Sequence, residues 1–221
     1  MSDPIAPAEG LRHSLWWVPN ALTIGRILTV PILMAGILAL GMQHESRLAT
    51  VPIVGGLFIA ATATDWLDGY LARKWKVVSG FGRMIDPIAD KLLVAGCLIA
   101  LCIVARGSWI FLVPAVTIIF RDILVSGARE HAALTGKVMP PTKLAKWKTA
   151  FEMAAIAALL VWVIGLAILP FADVIPQITL ISKTLGLGML WIAALLSAYT
   201  GSLYLRASVT DRLVTTGHES R

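Results

Sequence analysis

Long apolar runs separated by short polar stretches make up most of the chain. The six longest runs cover residues 22–40, 48–71, 84–104, 109–128, 149–169 and 184–205. A helix of about 20 residues is about 30 Å long, which matches the hydrocarbon layer of a bilayer. The pattern therefore predicts an all-α integral membrane protein with six transmembrane helices.

The segments outside these runs are shorter and more polar. Residues 1–19 are predicted to form a cytoplasmic tail that ends in a short interfacial helix, because Trp16 and Trp17 suit the headgroup layer. Residues 20–206 form the six-helix domain in this interpretation, and residues 207–221 form a polar C-terminal tail.

Composition agrees with a membrane protein and also orients it. The chain is 57% hydrophobic and 14% charged, whereas soluble domains carry about 25% charged residues. Of the 19 Lys and Arg residues, only Arg47, Arg106 and Lys183 fall in the loops after spans one, three and five. The positive-inside rule then predicts that both termini are cytoplasmic. It also explains the net charge of +6 without a nucleic-acid partner.

Four of the 13 acidic residues stand where the second span ends and the third begins. Two groups of residues there have the spacing of a single helical face. The first group is Asp65, Asp68, Gly69, Ala72 and Arg73, and the second is Gly82, Asp86 and Asp90. Because a short turn joins the two spans, the four carboxylates are expected to converge at the cytoplasmic edge of the membrane.

Four converging carboxylates repel one another unless cations lie between them. Oxygen ligands without nearby His or Cys favour Mg²⁺ or Mn²⁺, and two such ions about 3.5–4 Å apart are the usual clamp for displacement at phosphorus. Gly69, Ala72 and Gly82 leave room for a ligand against the helix backbone, and Arg73 can bind a phosphate. Helix–helix contact is the alternative role for the small residues.

The first span opens with a polar stripe. Asn20, Thr23 and Arg26 recur at steps of three and therefore share one side of the helix. A helix cap at Asn20 and a membrane-surface anchor at Arg26 are the alternatives to a role in a site.

These residues carry a family resemblance. The spacing Asp-x2-Asp-Gly-x2-Ala-Arg-x8-Gly-x3-Asp-x3-Asp, with eight fixed positions over 26 residues, resembles the signature of the CDP-alcohol phosphotransferase family. The resemblance implies six transmembrane helices, a site at the cytoplasmic interface and a homodimer.

The resemblance also implies individual roles. Asp65, Asp68 and Asp86 would bind the metals, and Asp90 would be the general base and also a metal ligand. The residues expected to line the pocket for the CDP-lipid are Asn20, Thr23, Gly69, Ala72, Arg73 and Gly82.

Three further stretches, 19–26, 121–130 and 146–149, resemble a bacterial branch of the family that uses sn-glycerol 3-phosphate as acceptor. The implied reaction transfers the phosphatidyl group of CDP-diacylglycerol at the cytoplasmic (inner) membrane and releases CMP. Asp122 and Glu152 depart from that branch, which commonly has Glu and Gln there. The residues expected to bind the acceptor phosphate are Arg121, Arg129, Lys143, Lys146 and Lys148, with membrane-surface anchoring as the alternative.

Two other functions stay open at this point. Within the family, the acceptor could be phosphatidylglycerol, as in a cardiolipin synthase, or an inositol phosphate. From a different class, four acids at a membrane edge could form the ion site of a cation transporter. Spans two, three and six are almost wholly apolar beyond their cytoplasmic ends, which disfavours a transport path.

Overall fold

The structure is a computed structural model that describes the backbone of residues 17–42, 47–75, 80–134, 143–169 and 175–216. Side chains are described over 20–42, 48–64, 82, 84–130, 132–134, 144–169 and 176–204. Residues 1–16 of the predicted tail and interfacial helix lie outside the described residues, whereas residues 17–19 belong to the first long helix.

The described residues form helices and no strand. The helices are α1 (Trp17–Gly41), α2 (Arg47–Trp75), α3 (Gly80–Val104), α4 (Trp109–Leu134), α5 (Lys143–Ile168) and α6 (Ile175–Thr216). The all-α prediction is therefore confirmed for this part of the chain.

Five helices contain segments long and apolar enough to cross a membrane. These segments are Asn20–Gly41, Met84–Val104, Trp109–Leu134, Leu144–Ile168 and Pro176–Tyr204. In α2, the apolar stretch among the described side chains is the shorter Leu48–Thr64. The helices are those of a multi-pass membrane protein, while the sixth span and the cytoplasmic side of the termini stay predictions.

Several helices extend beyond the apolar runs, and here the predicted boundaries were wrong. Helix α5 begins at Lys143 rather than at residue 149. Lysine is a good helix former, so the basic stretch before the apolar run can belong to the helix. Helix α6 begins at Ile175, so residues 175–183 are helical where a loop was predicted. Pro176 fits this earlier start, since proline is favoured in the first turn of a helix. Hydropathy reports where a helix can enter lipid, not where the helix ends.

The turn between α3 and α4 has four residues, Ala105 to Ser108. Arg106 and Gly107 have φ angles of 55° and 66°, which lie in the left-handed region. The Gly107 N–H donates to the carbonyl of Cys102 at 2.9 Å and closes the end of α3. Glycine adopts this conformation without the steric cost that other residues incur.

Two compact units divide the chain, residues 1–100 and residues 101–221. In the first unit, α1 packs against α2, with Leu33, Ile37 and Val54 fully buried. Gly96 of α3 allows α1 to approach closely, because a Cβ atom there would lie 2.6 Å from Cγ1 of Val30. Such close approach at glycine is the usual basis of helix association in membranes.

In the second unit, α6 packs against both α4 and α5. The centre of this unit contains buried Phe111, Ile118 and Leu159. The ring centroids of Phe111 and Trp162 lie 5.4 Å apart, which joins α4 to α5. This packing determines which faces of α4, α5 and α6 contact one another. Those faces also carry polar residues, among them Arg121 and Arg129 of α4.

Candidate active site

The first half of the aspartate motif lies on one continuous helix. Helix α2 runs through Trp75 without a break, so Asp65, Asp68, Gly69, Ala72 and Arg73 keep the helical spacing that places them on one face. Their side chains lie outside the described residues, and their predicted roles stay predictions.

The second half of the motif lies near the start of α3. Gly82 is buried, whereas Asp86 and Asp90 are exposed and stand one helical turn apart. Pro87 lies inside α3, which begins at Gly80, four residues before the predicted span. The two carboxylates nevertheless share one side of the helix, as the spacing predicts.

Helix α1 supplies a partner to each of these carboxylates. The Thr23 hydroxyl donates to Oδ1 of Asp86 at 2.7 Å, and the Arg26 guanidinium forms a salt bridge with Asp90. The Arg26 side chain is fully buried while that of Asp90 is 52% exposed. Arg26 thus holds an accessible carboxylate from the protein side, which does not fit the alternative of a surface anchor.

The pairing of Arg26 with Asp90 was missed by the sequence analysis. The two residues are 64 positions apart, so no local pattern links them. The stripe of Asn20, Thr23 and Arg26 indicated that such a partner exists, because a polar stripe entering a membrane requires polar partners. It did not indicate which residue the partner is.

The donor chemistry of the motif fits a hard divalent cation. Asp86 and Asp90 offer carboxylate oxygens at exposed positions, and the signature adds two more aspartates on α2. Oxygen ligands of this kind suit Mg²⁺ or Mn²⁺. Among the residues whose side chains are described, no three His, Cys, Asp or Glu cluster together.

A basic pocket lies in the second unit, between α4 and α5. Its volume is about 470 Å³, within the range of small-molecule sites. Three cationic residues, Arg121, Arg129 and Lys146, belong to its wall. The other lining residues described are Ala145, Thr149, Ala150 and Met153, so the lining carries no acid among them. The structure thus brings together three of the five residues predicted to bind the acceptor phosphate.

Lys148 is not among the residues that line the pocket. Its ammonium donates to both carboxylate oxygens of Asp122, at 2.8 and 2.7 Å, and lies 2.6 Å from Oε2 of Glu152. The side chains of Lys148 and Glu152 are each only 2% exposed. Lys143 is the first residue of α5, and its side chain lies outside the described residues.

Asp122 also accepts from Arg121, so the carboxylate bridges the buried cluster and the pocket. Nη1 of Arg121 lies 3.0 Å from Oδ1 of Asp122. Counted as ionised groups, the cations Arg121 and Lys148 balance the carboxylates Asp122 and Glu152. The net positive charge of the pocket then comes from Arg129 and Lys146.

In the sequence, Asp122 and Glu152 stand out only as departures from the related branch. Their placement beside Lys148 is a finding of the structure. The spacing of Lys148 and Glu152, four residues apart on one helix, was the signal available for one of these pairs.

Comparison with known proteins finds similarity over most of the chain. The profile of the CDP-alcohol phosphatidyltransferase family matches residues 16–199. A CDP-diacylglycerol–glycerol-3-phosphate 3-phosphatidyltransferase of Rickettsia bellii is 39% identical, over 86% of this chain and 94% of that protein. An Arabidopsis thaliana protein, named as form 2 of the same enzyme, is 37% identical over 93% of this chain and 85% of its own length.

A third relative has a different acceptor in its name. A cardiolipin synthase (CMP-forming) of Oryza sativa is 36% identical, over 86% of this chain and 56% of that protein. The residues that the family profile matches, 16–199, include the whole aspartate motif and both arginines of the basic pocket. The chain therefore belongs to the CDP-alcohol phosphatidyltransferase family.

Proposed function

We propose that the protein transfers the phosphatidyl group from CDP-diacylglycerol to sn-glycerol 3-phosphate, releasing CMP and forming phosphatidylglycerol phosphate. The family match and the names of the relatives from Rickettsia and Arabidopsis support this reaction. The complete aspartate signature supports the donor half of it.

The basic pocket is the observation that favours a small phosphorylated acceptor over a lipid, and the names of the relatives favour glycerol 3-phosphate over an inositol phosphate. A phosphate monoester has a charge of about −1.5 to −2 near neutral pH. The pocket offers Arg121, Arg129 and Lys146, and two of these cations remain after Asp122 and Glu152 are balanced. A small dianion matches both this charge and the pocket volume better than a lipid monoanion does.

Not every predicted acceptor residue has the same support. Arg121, Arg129 and Lys146 are proposed to bind the phosphate directly, and Lys143 is proposed to add positive charge at the start of α5. For Lys148 we propose an indirect role, because its ammonium is already bound by Asp122 and Glu152.

The donor is proposed to bind at the aspartate motif. Asn20, Thr23, Gly69, Ala72, Arg73 and Gly82 are the proposed contacts to the CDP-lipid. The family generally depends on divalent metals. Two Mg²⁺ or Mn²⁺ ions, held by Asp65, Asp68, Asp86 and Asp90, would offset the charge of the diphosphate and of the departing CMP.

In the proposed step, Asp90 takes the proton from the acceptor hydroxyl. The acceptor oxygen forms a bond to the phosphorus that bears diacylglycerol, and the bond from that phosphorus to the CMP oxygen breaks. Arg26 would keep the Asp90 carboxylate in place during this step, and Thr23 would orient Asp86 in the same way. A positioned base of this kind contributes about 10²–10⁴ in rate.

The membrane topology and the oligomeric state are also part of this proposal. The chain is proposed to cross the bacterial cytoplasmic membrane six times, with both termini and the site at the cytoplasmic face, and to form a homodimer. Sixteen of the 19 Lys and Arg residues on one side support that orientation.

The test uses purified protein with CDP-diacylglycerol and Mg²⁺, and measures CMP release with one acceptor at a time. The acceptors are sn-glycerol 3-phosphate, phosphatidylglycerol and inositol 1-phosphate. CMP release with glycerol 3-phosphate well above that with the other two is the expected result. Preference for phosphatidylglycerol would instead assign the activity in the name of the rice relative.

A further inference from the structure

Helix α6 presents one polar face to the arginines of the basic pocket. Ser197, Thr200, Gly201 and Tyr204 are spaced as a single side of the helix, and all four are buried. None of them belongs to the aspartate signature or to the lining of the pocket.

Thr200 provides an oriented acceptor for Arg121. Its hydroxyl donates to the carbonyl of Leu196 at 2.7 Å, the usual bond of a threonine within a helix. With the hydrogen engaged there, the oxygen can accept from Nη2 of Arg121, which lies 3.0 Å away.

Gly201 lets Arg121 lie directly against the backbone of α6. A Cβ atom at this position would lie 2.9 Å from Cγ of Arg121, closer than side-chain atoms normally approach. The absence of a side chain at residue 201 therefore sets the path of the arginine stem.

Tyr204 provides a hydrogen-bond acceptor for Arg129, as Thr200 does for Arg121. The tyrosine oxygen accepts from Nη2 of Arg129 at 2.9 Å. The guanidinium carbon also lies 5.1 Å from the centroid of the Tyr204 ring, within the range of a cation–π contact. Both arginines are thus anchored on the same helix.

We infer that Thr200, Gly201 and Tyr204, here named the α6 platform, position the two arginines for an incoming phosphate. The inference rests on the proposed function of the basic pocket as the acceptor site. A free arginine side chain loses rotamer entropy when it is ordered. An arginine already fixed by the platform loses less of it on binding, so the acceptor binds more tightly. The platform residues are positioning residues, because their contacts are to the arginines.

The test compares four substitutions by steady-state kinetics. Thr200→Val removes the acceptor oxygen and keeps the shape, Thr200→Ser restores the oxygen, and Tyr204→Phe keeps the ring but removes the hydroxyl. Ser197→Ala is the matched control, since Ser197 is buried one turn earlier and its Oγ makes no hydrogen bond within the described residues.

We expect Thr200→Val and Tyr204→Phe each to raise KM for glycerol 3-phosphate about tenfold, because an arginine without its anchor must be ordered when the acceptor binds. KM for CDP-diacylglycerol should stay within about twofold, and Thr200→Ser should return the acceptor KM to near the wild-type value. An equal rise in both KM values, or a rise in Ser197→Ala as large as in Thr200→Val, would overturn the inference.

A binding measurement separates this inference from the proposed function. Inorganic phosphate is titrated calorimetrically into the full-length protein in detergent, without CDP-lipid. If the wild type releases no CMP with glycerol 3-phosphate, the proposed function fails, and this titration then decides on the platform alone. About tenfold weaker phosphate binding in Thr200→Val than in Ser197→Ala supports the platform. Equal affinities in those two variants, or no phosphate binding by the wild type, refute it.

Discussion

Replacing Lys148 with Met tests whether this lysine binds substrate or holds the protein together. Methionine keeps much of the length of the side chain and removes its charge. In the structure the ammonium is bound by Asp122 and Glu152, with Lys148 and Glu152 both only 2% exposed. The substitution therefore leaves the two carboxylates without their shared cation.

The expected loss in the free energy of unfolding depends on which carboxylate loses its cation. Removing one partner of a buried ion pair typically destabilises a protein by about 3–5 kcal/mol. Asp122 still keeps Arg121 at 3.0 Å, so the loss falls mainly on Glu152. Oε1 of Glu152 already makes no hydrogen bond to any residue described in the structure. We therefore expect the lower end of the range, about 3 kcal/mol, which lowers Tm by about 6–12 °C for a chain of this size.

The double variant Lys148→Met with Glu152→Met removes both charges. Replacing a whole buried ion pair by apolar residues is often neutral or stabilising. The double variant should therefore be more stable than Lys148→Met alone, with a coupling energy of about 2–3 kcal/mol in the double-mutant cycle.

The assay combines thermal unfolding in detergent, followed by tryptophan fluorescence, with KM for glycerol 3-phosphate. The double variant should keep this KM within about threefold, because losing a charge-assisted hydrogen bond to phosphate would raise it tenfold or more at about 1.5–3 kcal/mol. Lys146→Met is the matched control, since Lys146 is exposed and lines the pocket. It should raise the acceptor KM and change stability by less than about 0.5 kcal/mol. An unchanged Tm in Lys148→Met, or a tenfold higher KM in the stable double variant, would refute the reasoning.

Three further predictions concern the proposed reaction and its pocket. Asp90→Asn should lower kcat by about 10²–10⁴ while binding of the CDP-lipid, measured by equilibrium dialysis, stays largely intact; normal turnover would remove Asp90 as the base. Arg121→Ala should raise KM for glycerol 3-phosphate at least tenfold and KM for CDP-diacylglycerol far less, since a charged hydrogen bond is lost at one substrate only; equal rises would contradict the acceptor role. Gly201→Ala should raise the acceptor KM by displacing Arg121, whereas Gly188→Ala on the same helix should not, because a Cβ atom there meets nothing within 4 Å. Matching kinetics for the two glycine variants would show that the bare backbone at residue 201 does not matter.

The helical class and the helical spacing of the aspartate motif could be read from the sequence. A backbone in lipid must satisfy its own hydrogen bonds, so an apolar run of about 20 residues predicts a helix. This rule depends only on local composition. The spacing of Asp86 and Asp90 on one helical face depends only on the geometry of the helix. The structure confirms both features, since α3 is continuous through these residues.

The side on which each residue faces could not be read from the sequence. A lipid-facing surface is as apolar as the protein core, so hydropathy does not tell one side of a membrane helix from the other. Leu28 and Phe120 are exposed while the equally apolar Leu33 and Ile118 are fully buried. The rotation of each helix was therefore undetermined until the helices were packed together.

Helix rotation is also what separated the predicted cations into two groups. Lys146 and Lys148 are two residues apart and therefore lie about 200° apart around α5, one at the pocket and the other at Asp122 and Glu152. Arg121 and Arg129 have partners on α6 that are 79 and 75 residues away in the chain. The sequence determined which charges the protein carries, and only the tertiary structure decided which of them are already bound to one another.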